Sequence, residues 1–215
     1  MKILFLAAHF YPARGGVQKH VYELSQELLK KGYSVTVITE VAPGDKQSHK
    51  MIDGIEVFYK DFGPRGFAKK FRIWFSLLGM LPLFIRVDVV HCHDVFIWYV
   101  PLRFLLPFKK VYTTFHGYET VVPPEKKAIM IRRMSNMLSH GSIHIGDFIK
   151  KWYGTRATKT LYGGVHIPEK FQKRSGKKLN ILLLGRLEKD IGIDVYQRVF
   201  KILKDQGMTY SLNIC

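Results

Sequence analysis

The chain has 215 residues, 47% of them hydrophobic, enough to bury one α/β core and part of a second and to exclude a disordered or fibrous class. Its 34 Lys and Arg against 17 Asp and Glu give a formal net charge of +17, which suits a surface that meets phosphates, anionic lipid or nucleic acid. Cys92 and Cys215 are its two cysteines, so a disulfide framework is excluded and a reducing compartment is expected.

The opening MKILFLAAHF has the lysine and apolar run of an export signal, but the run ends at Ala8 and His9, Tyr11 and Arg14 follow. A buried first strand from Ile3 to Ala8 fits that pattern better. The next stretch, GGVQKHVYELSQELLKKGY, puts Val17, Val21, Leu24 and Leu28 on one helical face and stops at Lys30, Lys31 and Gly32. Further strands are expected at Ser34 to Thr39, Ile55 to Tyr59, Asp88 to His91, Lys110 to Thr114, Ser142 to Ile145 and Ala157 to Leu161. Short apolar runs alternating with helical patterns predict an α/β fold, a doubly wound Rossmann-like parallel sheet. The apolar stretch from Trp74 to Ile85 falls well short of the roughly 20 residues that cross a bilayer.

After Leu161 the pattern breaks. Residues 1–162 therefore read as one domain, 163–178 as an exposed basic linker, and 179–215 as the beginning of a second α/β domain. That second part is expected to hold a strand from Asn180 to Leu184, a helix from about Asp194 to Lys204 and a strand from Ser211 to Ile214. A unit so small leaves a long unpaired sheet edge, so the second domain is expected to be incomplete in this chain.

Four features could carry chemistry. In AAHFYPARGGVQKH, Gly15 and Gly16 lie where a strand meets a helix, the place where a phosphate or sugar approaches the backbone in doubly wound folds; they could equally serve only the turn. Glu40 would imitate the ribose-binding acid of a dinucleotide site, but the G-x-G-x-x-G fingerprint is absent. In DVVHCHD, alternation on a strand puts His91 and His93 on one face and Cys92 on the other; a third metal ligand is not evident, so a strand-end pair lining a cleft is preferred to a metal site. In TTFHGYE, His116 stands at another strand end with Glu119 just beyond it, either structural or facing a ligand. In LLLGRLEKDIGID, a strand runs into Gly185 and Arg186 and Gly192 leads into a helix, an arrangement that holds a phosphate, to which Arg186 could add a bidentate contact. The basic run from Lys150 to Lys178 has no aromatic platform or reading motif for nucleic acid. RGFAKKFRIWFSLLGMLPLFIR interleaves basic and bulky apolar residues, as a helix lying on a membrane surface does, or as a core helix with a charged start does.

Taken in order, FYPARGGVQKHVYELSQELLKKGYSVTVIT, DVVHCHD, TTFHGYE, LYGGVHIP and LLLGRLEKDIGID resemble the family 4 glycosyltransferases over essentially the whole chain. The resemblance implies GT-B architecture, two Rossmann-like domains facing across a cleft. It also implies transfer of a sugar from a nucleotide-sugar donor to a glycan or lipid-linked acceptor with retention of anomeric configuration, without a cofactor or metal. By the same resemblance the first domain holds the acceptor, Gly15 and Gly16 approach a phosphate, His116 is the catalytic-site histidine beside the donor sugar, His91, His93 and Glu119 line the cleft, and Arg186 with Lys189 binds the donor diphosphate. In the family a lysine precedes the last glycine of the G-R motif; here that position is Ile191. The family's glutamate pair would lie beyond Cys215, so this chain alone is expected to be inactive. The basic surface then suggests an acceptor at an anionic membrane, with a cytoplasmic chain peripheral to the inner face of the cytoplasmic membrane, and no specific nucleic acid. The alternatives are a non-catalytic binding remnant of the fold, a nicotinamide-dependent oxidoreductase and a nucleic-acid-binding protein.

Overall fold

The computed structural model describes residues 1–13, 15–42, 44–117, 123–164, 179–184 and 192–214. The chain divides into two compact units, Met1–Gly164 and Val165–Cys215. In the first unit the elements run β1 (Lys2–Ala7), α1 (Gly16–Lys30), β2 (Ser34–Glu40), β3 (Ser48–Ile52), β4 (Ile55–Lys60), α2 (Lys69–Leu78), α3 (Leu81–Arg86) and β5 (Val89–His93). They continue with α4 (Phe96–Leu105), β6 (Lys110–Phe115), α5 (Lys126–Leu138), β7 (Gly141–His144), α6 (Phe148–Tyr153) and β8 (Lys159–Thr160). The strands form one eight-stranded sheet in the order β3-β4-β2-β1-β5-β6-β7-β8, parallel except where β3 pairs with β4.

The apolar run of β1 is continuous because both of its faces are covered. Leu4 and Leu6 enter one core with Ile38, Val90, Cys92, Leu77 and Phe96, while Ile3, Phe5 and Ala7 enter the other with Val35, Val37 and Val57. Helix α1 closes the second core through Val21, with Val17, Leu24 and Leu28 packed beside it, the four residues its sequence aligned on one face. Chain winding changes direction at β1: it pairs with β2 on one side and with β5 on the other, Ala7 facing His93 in register.

The hairpin at β3 is an addition to the sequence reading, which placed only the strand from Ile55. Ile52 pairs with Ile55 across Asp53 and Gly54, whose φ values of 48° and 83° are both positive, as a two-residue type I′ turn requires. Asp-Gly between two isoleucines carried that signal in the sequence. The turn is tied to α1, because Tyr22 Oη donates to Asp53 Oδ2 at 2.6 Å and Gln26 Nε2 donates to the Asp53 carbonyl at 3.0 Å.

Two boundaries differ from expectation. β5 continues through His93, because its last residues pair with both Ala7 and Thr114. The strand expected from Ala157 to Leu161 is reduced to Lys159–Thr160, an edge with a partner on one side. The apolar stretch from Trp74 to Ile85 is broken at Gly79 and Met80 into α2 and α3, with proline in the first turn of α3, and no helix among the described residues is long and apolar enough to cross a membrane.

In the second unit, β9 (Leu179–Leu183) and β10 (Tyr210–Ile214) pair in parallel, joined through α7 (Ile193–Asp205). Residues 165–178 of the expected linker lie outside the described residues.

Replacing Gly54 with valine puts a β-branched side chain at a left-handed position, and the expected loss is about 1–2 kcal/mol. Urea denaturation checks it; a variant as stable as the parent would mean that the turn is not the one described.

Candidate functional site

The sheet brings four histidines from three elements together at the C-terminal ends of its central strands. His91 and His93 alternate along β5 on one face; their rings stack with centroids 4.5 Å apart and 19° between planes. His116 follows the end of β6, its Nε2 sharing a hydrogen bond of 3.0 Å with His93 Nδ1. His20, one turn into α1, meets His116 at 4.7 Å and His93 at 5.8 Å between ring centroids. Phe5 of β1 abuts the pair edge-on, 5.0 Å from His93. His91 Nε2 is bonded to Thr114 Oγ1 at 2.8 Å. Cys92 points to the opposite face and is buried in the other core, where burial pushes its thiol up.

Burial sets the charge of this cluster. It lowers His91 to about 4 with help from repulsion by His20, and lowers His116 to about 3 with help from His20, His91 and Arg132. His93 is pushed well below its ordinary value by burial and by the other three rings. His20 is lowered by burial, against the pull of Glu23. At neutral pH the rings are therefore neutral imidazoles, able to donate or accept hydrogen bonds or to bind a metal.

The loop bearing His116 is held from behind by a buried cation. Arg132 of α5 has 0% exposure and sits over the rings of Phe115 and Tyr153, at 4.6 and 4.1 Å from their centroids. Its Nη1 donates to the Gly117 carbonyl at 2.7 Å, and its Nη2 reaches Asp94 Oδ1 at 3.4 Å. The same carboxylate oxygen accepts the His116 backbone N–H at 3.0 Å. Asp94 takes a positive φ of 60° directly after β5, which turns its side chain towards the neighbouring strand end.

Gly15 and Gly16 lead into α1 beside this cluster. Gly15 is extended at φ 160°, a conformation any residue adopts, and Gly16 is the first residue of the helix. A Cβ on Gly16 would meet nothing within 4 Å. A Cβ on Gly15 would come within 2.3 Å of Gln18 Oε1, so that position is already crowded by a side chain of α1. α1 has no side-chain cap and no acidic residue in its first turn, which leaves its N-terminal N–H groups available to an anion. On the other side of the loop a hollow of about 590 Å³ opens beyond β1 and β2, lined by His9, Phe10, Pro12, Lys46 and Tyr59 among others. Glu40 also borders it, but its carboxylate is paired with Lys69 of α2, so it is not a free ribose acid.

Of the residues singled out in the sequence, Gly15, Gly16, His91, His93 and His116 thus converge. Glu119, Arg186, Lys189 and the Ile191 position lie outside the described residues. His20, Asp94 and Arg132 were not anticipated. The signal for His20 was its place one helical turn after Gly16; nothing local marks Arg132, whose partners are 15 and 38 positions away.

The model of the family described as Glycosyltransferase Family 4 matches residues 14–164. Among curated proteins, a phosphatidylinositol N-acetylglucosaminyltransferase subunit of Arabidopsis thaliana is 31% identical over 99 residues, 45% of this chain and 22% of that protein. Its human counterpart of the same name is 30% identical over 97 residues, 44% of this chain and 20% of its own length. The matched region thus spans about a fifth of these relatives. Among solved structures, a sucrose-phosphate synthase from Thermosynechococcus elongatus aligns over 100% of this chain and 70% of its own, at TM-score 0.69 and 12% identity. The lipopolysaccharide outer core galactosyltransferase WaaB aligns over 100% of this chain and 60% of its own, at TM-score 0.63 and 15% identity. At such identities the likeness concerns the fold.

The lowered histidine values have a consequence for stability. Below about pH 6.5 the unfolded chain takes up protons that the folded cluster refuses, so stability falls as pH drops towards 4. The groups facing one another are His20 and Glu23 on α1, His91 and His93 on β5, Asp94 and His116 at the strand ends, and Arg132 on α5. His91 alone is expected to remove about 2 kcal/mol between pH 7 and pH 5. Urea denaturation at stepped pH should show that slope, and His91→Asn should flatten it; equal slopes would place the His91 value near its ordinary one.

Proposed function

The chain belongs to glycosyltransferase family 4, and we propose that it supplies the acceptor-side domain and the beginning of the donor-side domain of an enzyme that transfers a sugar from a nucleotide-sugar to a lipid-linked or glycan acceptor, with retention at the anomeric carbon. The observation that carries this reading is the bare helix entrance at Gly16 beside His116, at the sheet's change of winding direction. In that reading residues 1–162 bear the acceptor, residues 179–215 open the nucleotide-sugar domain across the 163–178 linker, and this chain by itself does not turn over. No cofactor or resident metal takes part in the transfer.

Breaking the donor's glycosidic bond leaves negative charge on a diphosphate, and fixed dipoles are the cheapest means of stabilising it. The N–H groups at the start of α1 are such dipoles, and Arg186 and Lys189 of the second unit supply the charge. His116 acts as a neutral imidazole: with its value lowered to about 3 it is no proton source at neutral pH, so it hydrogen-bonds and orients the sugar. His91, His93 and Glu119 shape the cleft behind it.

The curated relatives are named for transfer of N-acetylglucosamine to phosphatidylinositol, and an acceptor of that class fits such a transfer; the surface that would meet a membrane lies at the opposite ends of the strands from the histidine cluster. At the N-terminal ends of the strands, Ile85, Leu105 and Phe108 are exposed around a hollow also lined by Arg86 and Lys110, and Phe108 is 95% exposed. On α2, Ile73 and Leu77 are buried while Phe71 and Phe75 face outwards with Lys70 against the Phe71 ring, so the helix serves both the core and the surface. Exposed aromatics among cations suit the headgroup layer of an anionic membrane, and in this reading the chain is peripheral to the inner face of the cytoplasmic membrane. A nucleic-acid partner is not part of this reading.

Gly16→Ala tests the site, because the fold has room for the methyl group. Thermal stability is expected to hold or rise slightly, while calorimetric titration with nucleotide-sugars and soluble phosphoinositol acceptors should show at least about tenfold weaker binding. Heat of binding that is the same in both proteins would remove the loop from the site. For the surface, Phe108→Asp is expected to release the chain from vesicles containing roughly one-third phosphatidylserine, and salt should do the same. Retention by uncharged vesicles as strong as by anionic ones would overturn the electrostatic part.

A further inference from the structure

We infer that His20, His93 and His116 form a binding site for a transition-metal ion, with Zn(II) as the fitting occupant. One ligand atom from each ring lies within 4.8 Å of the others, and among the described residues this is the group of three so placed. The rings come from α1, from β5 and from the loop after β6, so no single local motif brings them together.

A tetrahedral ion bound at about 2.0–2.1 Å needs ligand nitrogens roughly 3.3 Å apart. His93 and His116 already stand at 3.0 Å, so the closest pair has the required separation. The widest pair must close by about an ångström and a half, within reach of side-chain rotation by His20, which is half-buried on one turn of a helix. His93 is 1% exposed, and its Nε2 is buried with no hydrogen-bond partner among the described residues. Its Nδ1, the atom that faces His116 Nε2 at 3.0 Å, is the one a metal would take, and the ring proton would then stay on Nε2. The rings are neutral at physiological pH, so the lone pairs a metal needs are not lost to protons. His91, stacked on His93 and fixed by Thr114, and Phe5, edge-on to His93, hold the central ligand in orientation.

Imidazole ligands without a carboxylate or thiolate favour Zn(II), Cu(II) or Ni(II) over Mg(II) or Mn(II). Three protein ligands leave a fourth position for water or an incoming oxygen. Occupation would clamp the start of α1, and with it the Gly15–Gly16 entrance, to the ends of β5 and β6. It would also engage His116, so that metal and sugar compete for that ring. The competition rests on the functional reading above; the site itself does not.

The test uses the tag-free 215-residue chain, stripped by chelator and titrated with Zn(II) against a chromophoric competitor, with Co(II) absorption as a second readout. One equivalent is expected to bind, Co(II) should give the intense visible bands of a four-coordinate site, and His20→Ala should weaken binding by about 100-fold. His49→Ala, a surface histidine paired with Glu56, should bind as the parent does. If His20→Ala is poorly folded by circular dichroism, His20→Asn replaces it, since asparagine keeps a polar side chain on the helix. Equal affinity in the parent and the His20 variant, or no equivalent bound by the parent, overturns the proposal. Because no sugar or nucleotide enters the measurement, its failure leaves the transferase reading standing, and failure of that reading leaves the metal site standing.

Discussion

The architecture depends on the position of β1 between β2 and β5. A parallel sheet grows outwards from its first strand, and when the chain returns to the other side of that strand the connections leave in opposite directions. The C-terminal ends of β1 and β5 are therefore left uncovered between diverging crossovers. Everything chemically unusual in the first unit stands there: the glycine entrance to α1, the strand-end histidines and the loop held by Arg132. β1 can occupy this place because it is apolar on both faces, and the same burial makes the histidines at its edge neutral.

Charge is distributed accordingly. Arg132, the cation nearest the cluster, is committed to the scaffold, sandwiched between Phe115 and Tyr153 and bonded to Asp94 and Gly117. A buried charge so engaged is a strut rather than a ligand grip, since removing its partners would leave it uncompensated. An anion at the sheet ends thus meets helix dipoles and neutral rings in the first unit.

Much of this was legible in the sequence because it is local. The α1 face, the strands from Ile3 and Ser34, and the shared face of His91 and His93 all follow from periods of 3.6 and 2. The β3 hairpin was also local, with Asp53 and Gly54 set between two isoleucines, and was passed over because a short polar strand lacks an apolar pattern. What periodicity cannot show is long-range. His20 was not singled out, because what brings it to the cluster is the crossover that lays that turn of α1 against the ends of β5 and β6. Arg132 was not singled out either, because its burial behind the loop depends on partners distant in sequence. The exposure of Phe75 beside the burial of Leu77 depends on which neighbours the sheet supplies.

The excess of positive charge and the neutral site belong to different length scales. The net charge of +17 acts over roughly a Debye length of about 8 Å and favours approach to an anionic surface, whatever the chemistry beyond it. At the strand ends contact sets the scale instead: the histidine rings there are desolvated, and burial keeps them neutral whatever the outer surface carries. Neutral imidazoles and backbone N–H groups offer hydrogen bonds there without a fixed charge. The surface charge and the neutral rings are thus independent properties of one chain: the first acts at a distance on any anion, the second only on what reaches the strand ends.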